Sequence, residues 1–285
     1  MNKIPLSFYW RLGRFDKPIG ILLLWAPTAW ALWLVNNYHP QWALLTLFLC
    51  GSIIMRAAGC VINDIVDASI DAHVPRTQTR VLACKQLSKQ HALYFLMILL
   101  SIAFLLLLQL PVACQPYAIA ALIITCIYPF GKRFIRAPQA ILGIAFSMGV
   151  PMVYVASFHP FDHNMVILLL INCLWVLAYD TEYAITDREA DIKLKLQSTA
   201  ILMGEADRLI IGILLGSAHI GWLIIAYLNQ WNYSYFIIGW LLGVGLILYQ
   251  LHLIHERQPT ACMRAFFSNS YYGLLMWLTL MISGR

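Results

Sequence analysis

Apolar segments of roughly membrane-spanning length recur along the chain, and no other feature constrains its fold as strongly. A helix needs about 20 consecutive apolar residues to cross the hydrocarbon core of a bilayer. Charged residues make up only 11% of the chain, against about 25% in a soluble domain. The sequence therefore predicts an all-α, polytopic membrane protein that forms one membrane-embedded domain over residues 1–285. We place nine transmembrane helices, at 18–36, 41–62, 91–110, 114–130, 138–158, 164–184, 207–228, 233–254 and 265–283.

The distribution of basic residues predicts the orientation in the membrane. Basic residues concentrate in cytoplasmic loops. Of the 19 Lys and Arg residues, 17 lie in the N-terminal segment, Lys3 included, or in the loops after the second, fourth, sixth and eighth segments. Only Arg56, inside the second segment, and Arg285, the last residue, depart from this pattern. We therefore expect a cytoplasmic N-terminus and a C-terminus on the opposite side of the membrane.

Two acidic stretches interrupt the apolar pattern. They span 63–80 and 180–191, and together they hold 8 of the 13 acidic residues of the chain. One follows the second apolar segment and the other follows the sixth, so both are expected at the cytoplasmic face. This offset of four segments predicts two four-helix halves plus a ninth helix around a central cavity. Membrane proteins often build their binding sites between such repeats.

Helical geometry predicts which of these acidic side chains share a face. If the second segment continues as a helix beyond Asn63, then Asn63 and Asp67 each lie within about 20° of the direction of Arg56 at 100° per residue. Asp71 then lies within about 60° of that direction. In the second stretch, a continuous helix places three aspartates on one face and turns Glu182 away from it. These three are Asp180, Asp187 and Asp191.

The residue types of the two stretches indicate a metal and phosphate site. Hard cations such as Mg²⁺ take oxygen ligands, typically one or two carboxylates completed by waters and substrate phosphates. Two acidic faces over one cavity could hold Mg²⁺ ions that bridge a diphosphate, and neighbouring bases could neutralise the remaining phosphate charge. Acidic residues without basic neighbours would instead suit a cation pathway. The basic residues near the two stretches are Arg14, Arg76, Arg80, Lys132, Arg133 and Arg188.

Simpler explanations apply to several charged residues. Loop charges are commonly just solvated, and we interpret Lys85, Lys193 and Glu205 in this way. An ionisable side chain inside a membrane segment costs about 2.5–3.5 kcal/mol on insertion and marks a functional residue by default. Arg56 meets that description, although it could equally serve as a structural partner of an aspartate. Tyr128 stands beside three bases in the sequence YPFGKRFIR.

Several other classes of site have no support in the sequence. The seven cysteines lack the paired spacing of a metal–thiolate site or a disulfide framework. No phosphate-binding Walker loop, dinucleotide-binding fingerprint, Ser-His-Asp arrangement or HExxH zinc motif is found. We expect small-molecule substrates and the lipid bilayer as partners, with no nucleic acid and no obligate protein partner.

The motifs resemble those of the UbiA superfamily of intramembrane prenyltransferases. The first stretch matches the NDxxDxxxD pattern of that superfamily, and DREAD (187–191) matches its second pattern, DxxxD. The resemblance extends along nearly the whole chain, and it is specific to the bacterial 4-hydroxybenzoate polyprenyltransferases. The further segments that carry it are RFDKPIG (14–20), LLLWAPTAWALW (22–33), MRAAGCVIND (55–64), YPFGKR (128–133), AYDTEYAITDREAD (178–191) and STAILMG (198–204).

The resemblance implies an enzyme that transfers a polyprenyl group from its diphosphate to the ring carbon ortho to the hydroxyl of 4-hydroxybenzoate, in ubiquinone biosynthesis. It implies Mg²⁺ as cofactor, held by Asn63, Asp67, Asp71, Asp187 and Asp191, which are also the candidate catalytic residues. Arg14, Arg80, Lys132 and Arg188 become candidates for contacts to the diphosphate. Arg133 becomes the candidate for the acceptor carboxylate, with Arg56 as its rival, and Asp64, Asp180 and Tyr128 are expected to support the substrate site.

Two alternatives stay open at this point. A related UbiA-type enzyme with a naphthoate or tetrapyrrole acceptor would keep both aspartate motifs and change only the acceptor pocket. A cation-coupled transporter could also carry aspartates within helices, but transport favours acidic groups near the middle of the bilayer. A CDP-alcohol phosphotransferase is disfavoured because its DGxxAR motif is missing here.

Overall fold

The computed structural model describes residues 5–284, which fold into α-helices and short 3₁₀ turns without a strand. Lys3 and Arg285, which entered the charge pattern, lie outside the described residues. The first helices are α1 (Leu6–Leu12), α2 (Ile19–Val35), α3 (Trp42–Asp71), α4 (Lys89–Leu107), α5 (Gln115–Phe134), α6 (Pro138–Ser147) and α7 (Gly149–Ala156). The others are α8 (His163–Ile185), α9 (Arg188–Lys193), α10 (Thr199–Met203), α11 (Asp207–Leu228), α12 (Tyr233–Leu253) and α13 (Pro259–Ser283).

The helices confirm the prediction of a polytopic, all-α membrane protein. Seven helical segments within residues 5–284 are long and apolar enough to cross a membrane. The predicted count of nine is not confirmed, because α2 has only 17 residues and α13 is not among the seven. The composition of α13 reflects its position, since its polar residues Ser268, Asn269 and Ser270 are buried inside the protein. A helix that packs against other helices on several sides does not need a uniformly apolar surface.

The predicted segment 138–158 is divided into α6 and α7 at Met148. Pro151 explains the division, because proline has no backbone N–H to donate to the carbonyl of Ser147, four residues earlier. The backbone turns instead through a bond from the Met148 N–H to the Ala145 carbonyl, at 3.3 Å. Residues Pro138–Ala156 nevertheless count as one segment long and apolar enough to cross a membrane, interrupted at Met148.

A layer of buried tryptophans joins α2, α8, α11 and α13. Trp30 packs edge-on against Trp222 at 4.9 Å between ring centroids and lies 5.3 Å from Trp175. A buried indole N–H needs an acceptor, and both α2 and α8 find one on α13. Trp30 Nε1 donates to the carbonyl of Gly273 at 3.1 Å, and Trp175 Nε1 donates to Asn269 Oδ1 at 2.8 Å. These bonds fix α13 against the two helices.

The close approach at Gly273 leads to a stability prediction. A Cβ atom at this position would lie 2.8 Å from Trp175 Cη2 and 3.0 Å from Ala26 Cβ. Because both neighbours are held in the core, we expect Gly273→Ala to destabilise the protein by about 1–3 kcal/mol, the usual cost of overpacking. Thermal unfolding of the detergent-purified protein would measure the loss.

Gly216→Ala is the matched control for this prediction. Gly216 also lies inside a helix, but a Cβ there meets no atom within 4 Å, and alanine is favoured over glycine in a helix by up to about 1 kcal/mol. We expect its melting temperature to be unchanged or slightly higher. Equal losses in the two variants would contradict the packing argument.

A second, smaller cluster of buried side chains holds α3 in place. Ala57, Ala58 and Val61 on one side of α3 pack with Leu12 from α1 and Leu99 from α4. The opposite side of α3 is left facing the interior of the protein. The cavity described next lies along that side.

Candidate active site

A cavity of about 1740 Å³ runs along α3. The α3 residues that line it extend from Leu47 to Asp71, a helical length of about 36 Å at 1.5 Å per residue. Charged side chains concentrate near the Asp71 end, whereas leucine, alanine and phenylalanine side chains of α4 and α5 line the other end. Examples are Leu100, Phe104, Leu107, Ala118 and Leu122. The cavity therefore combines a charged region with a long apolar one.

The first acidic stretch is helical from Asn63 to Asp71, as predicted, and continues as a loop. Because α3 continues to Asp71, its aspartates at intervals of three and four residues all reach the cavity, together with Asn63. Asp64, Asp67 and Asp71 are only 1%, 3% and 6% exposed. Carboxylates buried to this degree require partners.

The prediction of one continuous helical face in the second stretch was wrong. Helix α8 ends at Ile185, and α9 begins at Arg188 after a turn. The Thr186 hydroxyl donates to the carbonyl of Tyr183 at 2.6 Å, which stabilises the turn. Asp187 and Asp191 still lie one turn apart, since the Asp191 N–H donates to the Asp187 carbonyl at 2.9 Å.

The turn nevertheless leaves the three aspartates of this stretch on the cavity wall. Asp180, Asp187 and Asp191 all line it. The prediction that Glu182 faces elsewhere is confirmed, because its carboxylate is fully buried and accepts a hydrogen bond from Asn269 Nδ2 at 2.9 Å.

Arginines satisfy most of the buried carboxylates. Arg14 Nη2 donates to both oxygens of Asp64 at 2.8 and 2.9 Å, and Arg80 Nη1 donates to Asp71 at 2.7 Å and to Asp64 at 3.3 Å. Across the cavity, Arg76 forms a two-point ion pair with Asp187. The loop that follows α3 is thereby attached to the turn between α8 and α9.

Asp191 differs from the three aspartates of α3 and from Asp187, each of which forms an ion pair with an arginine. It has no ion-pair partner among residues 5–284. The pKa of the Asp191 carboxyl is raised to about 6, mainly by burial and to a smaller degree by the negative charges of Asp187 and Asp67, whereas the positive charges of Lys132 and Arg76 lower it. Asp191 and Asp67 both line the cavity. A cation bound between the two acidic stretches would relieve this repulsion.

Arg56 and Arg133, the two candidates for an acceptor carboxylate, occupy different environments. Arg56 lines the cavity, and its Nε atom is buried without a hydrogen-bond partner among the described residues. Its guanidinium carbon lies 6.0 Å from the ring centroid of Phe146. Arg133 lies outside the cavity lining and donates to Asp67 Oδ1 at 3.2 Å. Arg56 therefore lines the cavity without an ion-pair partner among residues 5–284, whereas Arg133 is paired with Asp67.

The other predicted substrate-site residues line the cavity. They are Arg14, Asp64, Arg80, Tyr128, Lys132, Asp180 and Arg188. The Tyr128 hydroxyl donates to Asp180 Oδ2 at 3.3 Å, so α5 and α8 meet at this wall. Arg14 has a positive φ of 58°, a conformation that costs a non-glycine residue of the order of 1–3 kcal/mol. In this conformation Arg14 Nη2 donates to both carboxylate oxygens of Asp64.

Sequence reasoning missed several aromatic and charged residues of the site. Phe146, Tyr179 and Tyr183 line the cavity, and the ring of Tyr183 stacks 4.4 Å from the Arg76 guanidinium. Tyr179 and Tyr183 flank Asp180 in YDTEY, which was a signal available in the sequence. Asp207, buried beneath Arg188, has no such signal because it lies outside both acidic stretches.

Comparison with known proteins identifies the family. The UbiA prenyltransferase family matches residues 24–278. The chain is 50% identical over 274 residues to a 4-hydroxybenzoate octaprenyltransferase from Legionella pneumophila (strain Paris), covering 96% of this chain and 97% of that protein. The chain belongs to the UbiA prenyltransferase family. A second family member, a 4-hydroxybenzoate octaprenyltransferase from Tolumonas auensis, is 43% identical, with 99% of each chain covered.

Solved structures of UbiA homologues share the fold. A homologue from Aeropyrum pernix K1 superimposes with a TM-score of 0.78 at 20% identity, over 92% of this chain and 97% of that one. A homologue from Archaeoglobus fulgidus, bound to GPP and Mg²⁺, has a TM-score of 0.69 at 15% identity, over 96% and 99% of the two chains. At these identities the comparison establishes the UbiA fold of this chain.

The carboxylate and amide oxygens that line the cavity of this UbiA-family chain are suitable ligands for a divalent cation. Within residues 5–284, no three Asp, Glu, His or Cys side chains come close enough to hold a metal ion by themselves. Mg²⁺ is commonly bound by only one or two carboxylates, with substrate phosphates and waters completing its shell. Carboxylates on both sides of the cavity, including Asp191 with no ion-pair partner among residues 5–284, match that requirement. A metal shared between protein and phosphate is therefore compatible with these residues.

Proposed function

We propose that this protein transfers a polyprenyl group from polyprenyl diphosphate to the ring carbon ortho to the hydroxyl of 4-hydroxybenzoate, in ubiquinone biosynthesis. Membership of the UbiA prenyltransferase family and 50% identity to a 4-hydroxybenzoate octaprenyltransferase support the reaction. The observation that carries the proposal is the cavity itself, in which acidic and basic side chains meet a long apolar region. A prenyl diphosphate has the same two parts, a highly charged head and an apolar tail.

The diphosphate head is assigned to the charged end of the cavity. Arg14, Arg80, Lys132 and Arg188 line this region and supply cationic donors, of which arginine is especially suited to phosphate oxygens. Mg²⁺, held by Asn63, Asp67 and Asp71 on α3 and by Asp187 and Asp191 on the other side, would neutralise the departing pyrophosphate. Three of these residues lie on α3 and Asp191 lies on α9, and the Arg76–Asp187 ion pair joins the loop after α3 to the turn before α9.

The aromatic acceptor is assigned to the wall formed by Arg56, Phe146 and Tyr128. The Arg56 guanidinium would bind the carboxylate of 4-hydroxybenzoate, since it lines the cavity beside Phe146 and has no ion-pair partner among the described residues. Breaking the carbon–oxygen bond of the donor leaves an allylic cation and pyrophosphate. The ring carbon ortho to the phenol supplies the electron pair of the new carbon–carbon bond, and the ring then loses its proton. Aromatic side chains and exclusion of water protect the cation from hydrolysis.

The membrane placement follows from the same proposal. Seven apolar helical segments establish a multi-pass membrane protein, and its bacterial relatives support the inner membrane as its location. The distribution of basic residues supports a cytoplasmic N-terminus and a cytoplasmic charged end of the cavity, with the C-terminus in the periplasm. A single membrane domain over residues 1–285 would contain the whole site.

Prenyl transfer by the purified protein tests the proposal. In detergent, with geranyl diphosphate, 4-hydroxybenzoate and Mg²⁺, we expect prenylated 4-hydroxybenzoate, and EDTA should abolish product formation. Adding excess Mg²⁺ back should restore the activity, which separates metal removal from protein inactivation. Product that is unaffected by EDTA would contradict the metal requirement.

The same assay distinguishes the alternatives. Pyrophosphate release on adding Mg²⁺, without transfer to 4-hydroxybenzoate, would keep the donor site and reject the acceptor; a naphthoate acceptor should then be tested. Folded protein that releases no pyrophosphate, even with a longer prenyl donor, would reject the enzymatic assignment and favour cation transport.

A further inference from the structure

One buried carboxylate outside both acidic stretches binds two arginines of the cavity. Asp207, the first residue of α11, is 1% exposed. Its carboxylate forms an ion pair with Arg188 and accepts hydrogen bonds from Arg257 Nε at 2.9 Å and Arg257 Nη2 at 2.9 Å. The N–H of Arg208 donates to Oδ1 at 2.6 Å. Asp207 therefore joins three segments: the start of α9, the start of α11 and the loop before α13.

Asp207 does not itself reach the cavity, whereas both of its arginine partners do. Arg188 and Arg257 line the cavity, and Asp207 is absent from its wall. The Nε atom of Arg188 is buried without a partner among the described residues. Two guanidinium groups share one carboxylate, so the cluster retains a net positive charge beside the cavity. That charge suits an anion of high charge density, such as a diphosphate.

The ion pair between Arg188 and Asp207 lies directly beside the ion pair between Asp187 and Arg76. Asp187 is bound from the other side by Arg76, while Arg188 is bound by Asp207. The short segment between α8 and α9 is thus held at two consecutive residues by partners from different parts of the fold. Arg257 contributes a further bond to the Glu205 carbonyl at 2.8 Å, which secures the same corner.

We propose that Asp207 is a positioning residue for donor binding, which holds Arg188 in the orientation that meets the diphosphate of the prenyl donor. The inference rests on the proposed function, since it assigns a task to one arginine of that site. Asp207 acts through Arg188 and makes no contact with substrate. Its removal should therefore weaken donor binding and leave acceptor binding unchanged.

Steady-state kinetics of variants in detergent test this role. With geranyl diphosphate varied at saturating 4-hydroxybenzoate, we expect Asp207→Asn to raise the KM for the donor about tenfold, as for the loss of about 1.4 kcal/mol of binding. The KM for 4-hydroxybenzoate should stay within about twofold of the wild-type value. Asp162→Asn is the matched control, because Asp162 also caps a helix and binds a side chain, Tyr154, but lies away from the cavity.

The double variant separates positioning from general support of the fold. If Asp207 acts through Arg188, then adding Asp207→Asn to Arg188→Ala should not raise the donor KM further. An additional tenfold increase in the double variant, or an unchanged donor KM in the single variant, would overturn the proposal. An equal rise in both substrate KM values would also overturn it.

Asp207→Glu provides a second test that keeps the negative charge and does not depend on the asparagine variant folding. Its extra methylene group shifts the guanidinium of Arg188, so we expect the donor KM to rise about threefold alone and not at all in the Arg188→Ala background. If Asp207→Glu left the donor KM unchanged in the wild-type background as well as in the Arg188→Ala background, the positioning role would be overturned. Failure of the wild-type protein to prenylate 4-hydroxybenzoate would instead reject the proposed function, so the two failures are distinguishable.

Discussion

Alanine at Asp67 or Asp191 is expected to reduce prenyl transfer at least about a thousandfold while the protein remains folded. That loss corresponds to about 4 kcal/mol of transition-state stabilisation. The two carboxylates lie on opposite walls of one cavity and near enough for the charge of Asp67 to raise the pKa of the Asp191 carboxyl. Removing either one breaks the oxygen-donor set that would bind the cation and the leaving pyrophosphate. The rate of product formation under saturating substrates measures the effect.

The Mg²⁺ dependence of the same variants identifies the cause. Asp191→Asn, which retains one oxygen donor, should require a higher Mg²⁺ concentration for half-maximal activity. The control is Glu256→Ala, since Glu256 is an exposed carboxylate away from the main cavity, and its activity should match wild type. Wild-type activity in Asp67→Ala or Asp191→Ala would remove the metal-binding hypothesis. Loss of folded protein would show a structural role instead, and the monodispersity of the purified variants reports on this.

Arg56→Ala is expected to raise the KM for 4-hydroxybenzoate by at least about fiftyfold and to change the donor KM little. Truncating one partner of a buried, charged pair costs about 2–5 kcal/mol. Initial rates with each substrate varied in turn measure the two constants. Arg133→Ala removes the ion-pair partner of Asp67, so it should raise the KM for the prenyl donor more than the KM for 4-hydroxybenzoate. The opposite ordering of the two arginine variants would reassign the acceptor carboxylate to Arg133.

A neutral acceptor analogue tests whether Arg56 recognises the carboxylate itself. The wild-type enzyme should strongly prefer 4-hydroxybenzoate over its methyl ester, and Arg56→Ala should lose most of that preference. If the variant retained the full preference, another residue would be reading the carboxylate.

Gly20→Ala tests the role of Arg56 without changing Arg56 itself. A Cβ atom at Gly20 would lie 2.8 Å from the guanidinium carbon of Arg56, so the added methyl group should displace that side chain without removing its charge. We expect a severalfold rise in the acceptor KM, smaller than for Arg56→Ala, and little change in melting temperature because a long side chain can move aside. An unchanged acceptor KM would show that the position of the Arg56 guanidinium is not critical.

Much of the chemistry of the site was predictable because helical periodicity is a local property. The spacing from Arg56 to Asp71 defines one face of a helix wherever that helix lies, and α3 carries this face into the cavity. The same reasoning failed beyond Asp180. The break at Thr186 depends on contacts from elsewhere, among them the ion pair between Asp187 and Arg76, 111 positions earlier in the chain.

The sequence alone determined the all-helical membrane class, the two acidic stretches and the resemblance to UbiA enzymes, since composition, period and motif do not depend on distant contacts. Only the tertiary structure distinguished Arg56 from Arg133 and revealed Asp207. Arg56 is left inside the cavity with an unpaired Nε, whereas Arg133 is drawn to Asp67 outside the cavity lining. Asp207 meets Arg188 and Arg257 across 19 and 50 positions of the chain. Ion pairs between such distant residues are set by how the helices pack, and packing cannot be read from local spacing.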